Sequence, residues 1–376
     1  MLGIPVLDFQ IDRSDWSRYE LQESTLDMDA LAPGQVLLRV DRFGLSANNI
    51  TYAVLGDALR YWQFFPAPEG WGILPVWGFA EVQASRCPGV EPGERWYGYY
   101  PMSSHLLVEP TQLKAGSFID ATTHRQSLPL LYNQYLRTSK DVLYTVESEA
   151  AQILLRPLFT TAFVLDDFLA SNGFFGAGRL LMTSASSKTA IATATLLKSQ
   201  RGKRGLDYEV VGLTSPGHRA FVEGLGCYDH VLAYSQLVDL DSATPTLVVD
   251  FSGNSELLER LHRTLGPQLQ YSCLVGAAHW DQRGGLPSDL PGPAPKLFFA
   301  PAQAEKRLKE WGGERFQSSM IEHWSDFLSG VGHWLSFEEG HGHEAVGRVY
   351  AAMLKGQANP QLGYILSLSN SQSPAP

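Results

Sequence analysis

The chain has 376 residues, 44% hydrophobic and 18% charged, enough apolar material for two sizeable cores and too much for a disordered protein. A formal charge of −10 argues against a nucleic-acid surface, because binding a phosphate backbone draws on clustered Lys and Arg. No stretch reaches the ~20 uninterrupted apolar residues of a membrane helix, and three cysteines without a CxxC pair fit a reducing compartment, so a cytoplasmic protein with no membrane partner is expected.

The opening MLGIPVLDFQIDRSDW lacks the basic start and apolar core of a secretion signal. From there to about residue 150, short strands alternate with Pro and Gly turns, the pattern of a partly open β-barrel. Tyr61, Trp62, Phe64, Phe65, Trp71 and Trp77 crowd one region of it. They suit an apolar or planar ligand, and ordinary barrel packing accounts for them equally well. The linker from Lys114 to Glu149 is long for a connection, so Tyr132, Asn133 and Tyr135 read either as a lid over a cleft or as a packed excursion.

A long apolar helix, LLRPLFTTAFVLDDFLAS, follows at 154–171, and then RLLMTSASSKTAIATATLLK at 179–198 reads as strand, tight turn and helix. A helix opening offers backbone N–H groups and partial positive charge to an anion. Ser184, Ala185, Ser186, Ser187 and Thr189 are small or hydroxylic enough for close approach of a pyrophosphate, and Lys188 adds charge. The GxGxxG fingerprint of such turns is absent, since no Gly lies between Arg179 and Lys198. Alone, the segment also reads as any buried strand followed by a Ser-capped helix.

The next segments strengthen the nucleotide reading. DYEVVGLTSPGHRAFVEGLGCYDHVLAY, 207–234, is a second strand–helix unit. Where an acidic residue would bind the adenosine ribose of NAD, it carries Thr214 and Ser215 followed by His218 and Arg219. Hydroxyls and cations suit a 2′-phosphate, so NADP(H) is favoured, with Tyr234 a further wall of that pocket. TLVVDFSGN (246–254) and YSCLVGAAHW (271–280) continue the rhythm of a doubly wound parallel sheet. Phe251, Ser252, Gly253, Gly276 and Ala277 fall at the carboxyl ends of those strands, where such sheets bind ligands. KLFFAP makes a last strand near Ala300, and residues 333–368 read as strand, helix, strand returning to the first domain, with the HGH at 341–343 opening the helix.

The blocks FGLSANNITYAVLGD (43–57), LLRPLFTTAFVLDDFL (154–169), SASSKTAIA (184–192), VVGLTSPGHRAFVEGLG (210–226) and YSCLVGAAHWD (271–281) carry a resemblance over nearly the whole chain. The sequence resembles the medium-chain dehydrogenase/reductase superfamily, in its zinc-free quinone oxidoreductase and enoyl reductase branch, and within it a bacterial family defined only as a domain of unknown function. The resemblance implies an α/β chain with a GroES-like, partly open β-barrel domain at 1–150, completed by 331–376. It implies a Rossmann domain at 151–330. By the same resemblance Asn48, Asn49 and Tyr52 lie over the nicotinamide, with Tyr61 a second phenol. Thr160 and Thr161 match the helix beside the nicotinamide ring, and Tyr234 matches a tyrosine of the 2′-phosphate pocket.

Zinc-dependent members of the superfamily carry a Cys, a Gly-His-Glu block and a four-cysteine lobe, and none of these is present. Cys87, Cys227 and Cys273 are widely spaced, the apolar GWGILPVWGFAEV (70–82) stands in place of the ligand block, and His105, His124, His279, His341 and His343 are scattered. No metal is expected. The expected reaction is hydride transfer from NADPH to a conjugated carbonyl, enone, enoyl or quinone substrate that is apolar or planar. A homodimer is expected from relatives of the fold. Two other readings stand beside it: a redox-silent NADPH sensor or scaffold, and a non-redox enzyme on the same fold.

Overall fold

In the computed structural model, which describes residues 3–240, 243–275, 289–357 and 359–369, the N-terminal part of the chain is built from strands. These are β1 (Gly3–Asp12), β2 (Tyr19–Asp27), β3 (Val36–Leu45), β4 (Trp71–Ile73), β5 (Pro75–Ser85), β6 (Arg95–Pro101), β7 (His105–Val108), β8 (Pro110–Lys114), β9 (Ser117–Asp120) and β10 (Gln134–Arg137), with helix α1 (Ala47–Val54) after β3. β3 and β5 are buried along most of their length, as VLLRVDRFGL and PVWGFAEV dictate, and two register shifts between them bend the pair. That bending curls a nine-stranded sheet into the partly open barrel.

The chain continues through α2 (Glu149–Ser171), β11 (Arg179–Met182), α3 (Lys188–Arg204), β12 (Glu209–Thr214), α4 (Arg219–Gly224), β13 (His230–Ala233), β14 (Thr246–Asp250), α5 (Ser255–Leu265), β15 (Leu269–Leu274), β16 (Lys296–Leu297), α6 (Ala300–Trp311) and α7 (Gly313–Val331). It ends in β17 (Ser336–His341), α8 (Gly342–Leu354) and β18 (Leu362–Ser367). Two units result, residues 1–154 with 335–376, and residues 155–334. In the first, β18 pairs with β3, so the C-terminal strands extend the barrel sheet, while β2, β1 and β4 form a separate antiparallel sheet. In the second, six parallel strands run in the order β13-β12-β11-β14-β15-β16, which is the 3-2-1-4-5-6 order of a Rossmann domain.

Of the two readings of the 114–149 excursion, the structure has the packed one: Asn133 and Tyr135 are buried and strands β9 and β10 lie within it, so it is part of the barrel. Residues 300–331, beyond the last expected strand, hold α6 and α7. Trp324 of α7 meets Phe159 of α2 edge-on and Phe327 stacks on it, at 5.3 and 5.1 Å between ring centroids. Lys296–Leu297 alone remains of the last strand.

Helix α2 opens on a buried charge network. Glu149 accepts from Arg95 Nε at 2.6 Å, from Arg42 at 2.9 Å and from the Tyr144 hydroxyl at 2.8 Å, and Arg95 also binds Asp41 at 2.6 Å. Burial alone would raise the Glu149 carboxyl, but Arg95, Tyr144 and Arg42 hold it below the ordinary glutamate value. Asp41 goes the other way, raised by burial against the pull of Arg95. A carboxyl whose folded pKa lies below the unfolded one stabilises above the unfolded value and loses that contribution as pH falls through the folded value. Asp41 gains over its own acid window and partly offsets the loss. Unfolding measured against pH is therefore expected to show stability falling below pH 4.5, with a flatter profile for Glu149→Gln. That variant, which leaves Arg95 short of a partner, should lose about 3 kcal/mol at pH 7. An unchanged acid slope in the variant would remove Glu149 from this role.

Candidate functional site

The strand order of the second unit reverses between β11 and β14, and the loops leaving the carboxyl ends of the two strands part there. One buried hydroxyl organises both. Thr183 donates to Asp250 and accepts from the Phe251 amide at 2.9 Å and the Ser252 amide at 3.2 Å. The same Asp250 carboxylate also accepts from the Ser252 hydroxyl at 2.6 Å and from the Gly253 amide at 3.1 Å. Asp250 is only 1% exposed, so these bonds replace the water it has lost. Neither Thr183 nor Asp250 is selected by the sequence reading, although both flank segments that are.

The turn that follows solves without glycine the problem that GxGxxG solves with it. Ser184 adopts φ +49, the left-handed region usually left to Gly. Its amide donates to the Tyr234 hydroxyl at 3.2 Å. Ala185 is buried, its amide donating to Leu213 at 2.9 Å and its carbonyl accepting from Tyr228 at 2.9 Å. The close approach is provided from the neighbouring strand: a Cβ on Gly212 would lie 2.9 Å from that of Ala185. Ser187 caps α3, accepting from the Ala190 amide at 3.4 Å. Lys188 and Thr189 form the first turn, and burial pushes the Lys188 ammonium down to about 8.

The loop after β12 reaches back to this turn through Ser186, whose hydroxyl lies 3.2 Å from His218 Nδ1. Thr214 is 1% exposed at the strand end and its hydroxyl has no partner among the described residues. Ser215 is half-buried beside it. Arg219 binds Glu223 at 2.8 Å and Gln236 at 2.9 Å, which aims it along its own helix and toward the segment after β13. Tyr234 sits against the Ser184 turn itself. On α2, Thr160 and Thr161 donate to the carbonyls of Arg156 and Pro157, at 2.8 and 3.2 Å, and Thr160 also faces Met320. Gly276 and Ala277, like His279, lie outside the described residues.

In the first unit the phenols gather. Tyr52 and Tyr61 are 4.5 Å apart between ring centroids and both are buried. The Tyr52 hydroxyl faces Asn48, Trp77 and Tyr99, while the Tyr61 hydroxyl lies 3.3 Å from that of Tyr132. Burial raises both phenols above the ordinary tyrosine value, so each keeps its proton and is held as a hydrogen-bond donor. Asn49 is the exception among the selected residues. Its Oδ1 accepts from the Ser46 amide at 2.8 Å and its Nδ2 donates to the Pro75 carbonyl at 3.0 Å, so it closes the start of α1 and is spent on the fold. Trp77, one of the crowded aromatics, and Tyr132 of the excursion join the cluster, together with Tyr99, which the sequence reading does not select.

No group of three or more His, Cys, Asp or Glu among the described residues is placed to hold a metal ion. His105 lies between Ser104 and Gln83, and His124 is bonded to the Phe64 carbonyl. Cys227 and Cys273 are buried, and burial pushes the Cys227 thiol up to about 12 and Cys273 further. No helix among the described residues is long and apolar enough to cross a membrane.

A partly open barrel and a parallel sheet in the order 3-2-1-4-5-6 define a GroES-like unit and a Rossmann unit. Solved structures agree. A protein from Mesorhizobium loti assigned as an NADPH:quinone reductase is similar with TM-score 0.59 and 13% identity, over 98% of this chain and 99% of that one. CurA from Vibrio vulnificus, solved with NADPH, is similar with TM-score 0.57 and 14% identity, over 99% and 100%. Etr1p, solved with NADP and crotonyl-CoA, gives 0.55 and 13%, over 97% and 100%. A search of curated proteins finds no match. The chain belongs to the family described as "Protein of unknown function (DUF2855)", whose profile matches residues 43–359.

Replacing Thr183 by Val keeps its shape and strands Asp250 and two amides. Denaturant unfolding should show a loss of about 2–4 kcal/mol; a loss below about 0.5 kcal/mol would mean that the two loops are held by something else.

Proposed function

We propose that this protein is a zinc-independent, NADPH-dependent oxidoreductase that reduces a conjugated carbonyl, enone, enoyl or quinone substrate. The observation that carries the reading is the Ser184–Thr189 turn, left-handed at Ser184 and opening α3 at the strand-order reversal. The residues fit a dinucleotide. Amides and hydroxyls at the start of α3 suit a pyrophosphate, with Lys188 beside it, and the unpartnered Thr214 hydroxyl at the end of β12 suits a ribose. Ser186, His218 and Arg219 favour a 2′-phosphate over a bare hydroxyl. Structures of the same fold solved with NADP or NADPH support the choice.

When bound, the nicotinamide supplies the hydride. The chain's own part is to hold the oxygen on which negative charge builds as an enolate or phenolate forms. Tyr61 and Tyr52, kept protonated by burial, donate hydrogen bonds to that oxygen, and Asn48, against the Tyr52 hydroxyl, orients the donor. The aromatic surroundings of the phenols, Trp77, Tyr99 and Phe64, suit a planar, uncharged acceptor.

Titration of the purified protein by nucleotide fluorescence at fixed salt should show NADPH binding more tightly than NADH, followed by oxidation when quinones or enones are added. Binding without oxidation would favour a sensor, and no binding of either nucleotide would favour a non-redox enzyme. His218→Ala with Arg219→Ala should weaken NADPH far more than NADH; equal losses would remove the 2′-phosphate assignment. Because Lys188 loses its proton near pH 8, NADPH affinity should fall by about tenfold as pH rises through that value, and Lys188→Met should flatten the dependence.

A further inference from the structure

A buried guanidinium stands behind the phenol cluster and takes no part in the reaction outlined above. Arg125 is fully buried on the Thr123–Arg125 turn of the excursion. Its Nε donates to Asn133 at 3.0 Å, one terminal nitrogen to Asp120 at 3.0 Å and to the Tyr135 hydroxyl at 2.8 Å, and the other to the Tyr132 carbonyl at 2.6 Å. The Asn133 amide returns a bond to the Arg125 carbonyl at 2.8 Å. The plane also lies over the rings of Phe64 and Phe65, 5.6 and 5.1 Å from their centroids.

Those contacts have one thing in common. The Tyr132 carbonyl belongs to the residue whose hydroxyl meets Tyr61 at 3.3 Å, and Phe64 and Phe65 immediately follow the Tyr61–Gln63 turn. Both segments that carry the hydroxyl pair therefore rest on one guanidinium. Tyr135, itself bonded to Arg125, donates to the Tyr99 carbonyl at 2.7 Å and so ties in the strand that faces Tyr52. Its ring fits because β6 carries Gly98 there: a Cβ would come within 2.3 Å of it. Placing a charge in this core is costly unless every donor is satisfied, and a satisfied buried network fixes one geometry.

We propose that Arg125 is a positioning residue for the Tyr61–Tyr132 pair. It sets the pair so that the Tyr132 hydroxyl donates to the Tyr61 oxygen, which aligns the Tyr61 proton toward a substrate oxygen and strengthens it as a donor through the chain of two hydrogen bonds. The proposal rests on the reading of Tyr61 as the group that meets that oxygen.

The test uses the full chain as wild type, Tyr132→Phe, Arg125→Lys, Tyr61→Phe and the Tyr61→Phe/Tyr132→Phe double variant. Two readouts are taken: steady-state NADPH oxidation with a quinone, and the 13Cζ resonance of Tyr61 in tyrosine-labelled protein. Tyr132→Phe is expected to lower kcat about tenfold with NADPH affinity unchanged. Arg125→Lys should do the same and move the Tyr61 resonance in the same direction, although it touches neither hydroxyl. The double variant should be no slower than Tyr61→Phe alone. A Tyr61 resonance unmoved in folded Tyr132→Phe and Arg125→Lys, or additive losses in the double variant, would overturn the proposal. Should Arg125→Lys fail to fold, Tyr135→Phe removes one guanidinium bond and takes its place. A wild type that oxidises NADPH with no acceptor tried would count against the reductase reading, and the resonance then decides the positioning role by itself.

Discussion

Two parallel strands have to part at the reversal of strand order, and a single buried threonine lets them do so without leaving polar groups bare. Thr183 joins the end of β11 to Asp250 and to two amides beyond β14. With those groups satisfied, the loops on either side are free to face a ligand. The left-handed Ser184 comes next in the chain, and its strained backbone is held by the Tyr234 hydroxyl and by the anchored Ala185 that follows. The rim of the sheet is thus a set of short-range constraints radiating from one hydroxyl.

Much of this was legible in the sequence, because hydrophobic runs broken by small-residue turns specify a parallel sheet through burial alone. The strands at 179, 209, 246 and 269 and the returning strand–helix–strand fall where their patterns put them. Helix α7 is equally legible, since Phe316, Met320, Trp324, Phe327 and Val331 recur at helical spacing along one face. The identity of Asn49 as a cap lay in the spacing Ser46-x-x-Asn49 at the start of a helix. What no local pattern carries is long-range pairing. Tyr132 meeting Tyr61 across seventy-one positions, or Tyr135 reaching the Tyr99 carbonyl across thirty-six, depends on the barrel being closed first. The excursion reads equally as a lid or as a packed segment for the same reason, since its burial is supplied by residues far away in the chain.

The two units divide the physical work differently. The sheet unit relies on backbone groups and small side chains, which allow close approach and tolerate many sequences. The barrel unit relies on large aromatic side chains whose positions are set by packing and by buried charge: Arg125 for the phenols, Arg95 and Glu149 for the start of α2. The turn at Ser184 accordingly needs no glycine of its own, the steric demand being moved to Gly212 on the adjacent strand.

The state of the three cysteines has a consequence for survival in service. Enones and quinones are electrophiles, and an enzyme that concentrates them exposes its own thiolates to arylation. Burial raises all three thiols, Cys87 included, above their ordinary value. The sulfur atoms therefore stay protonated at neutral pH, and the nucleophile that such substrates would consume is withheld from them. Cys227 and Cys273 are in addition closed off by the packing around them, so a small electrophile meets those two sulfurs only where that packing opens.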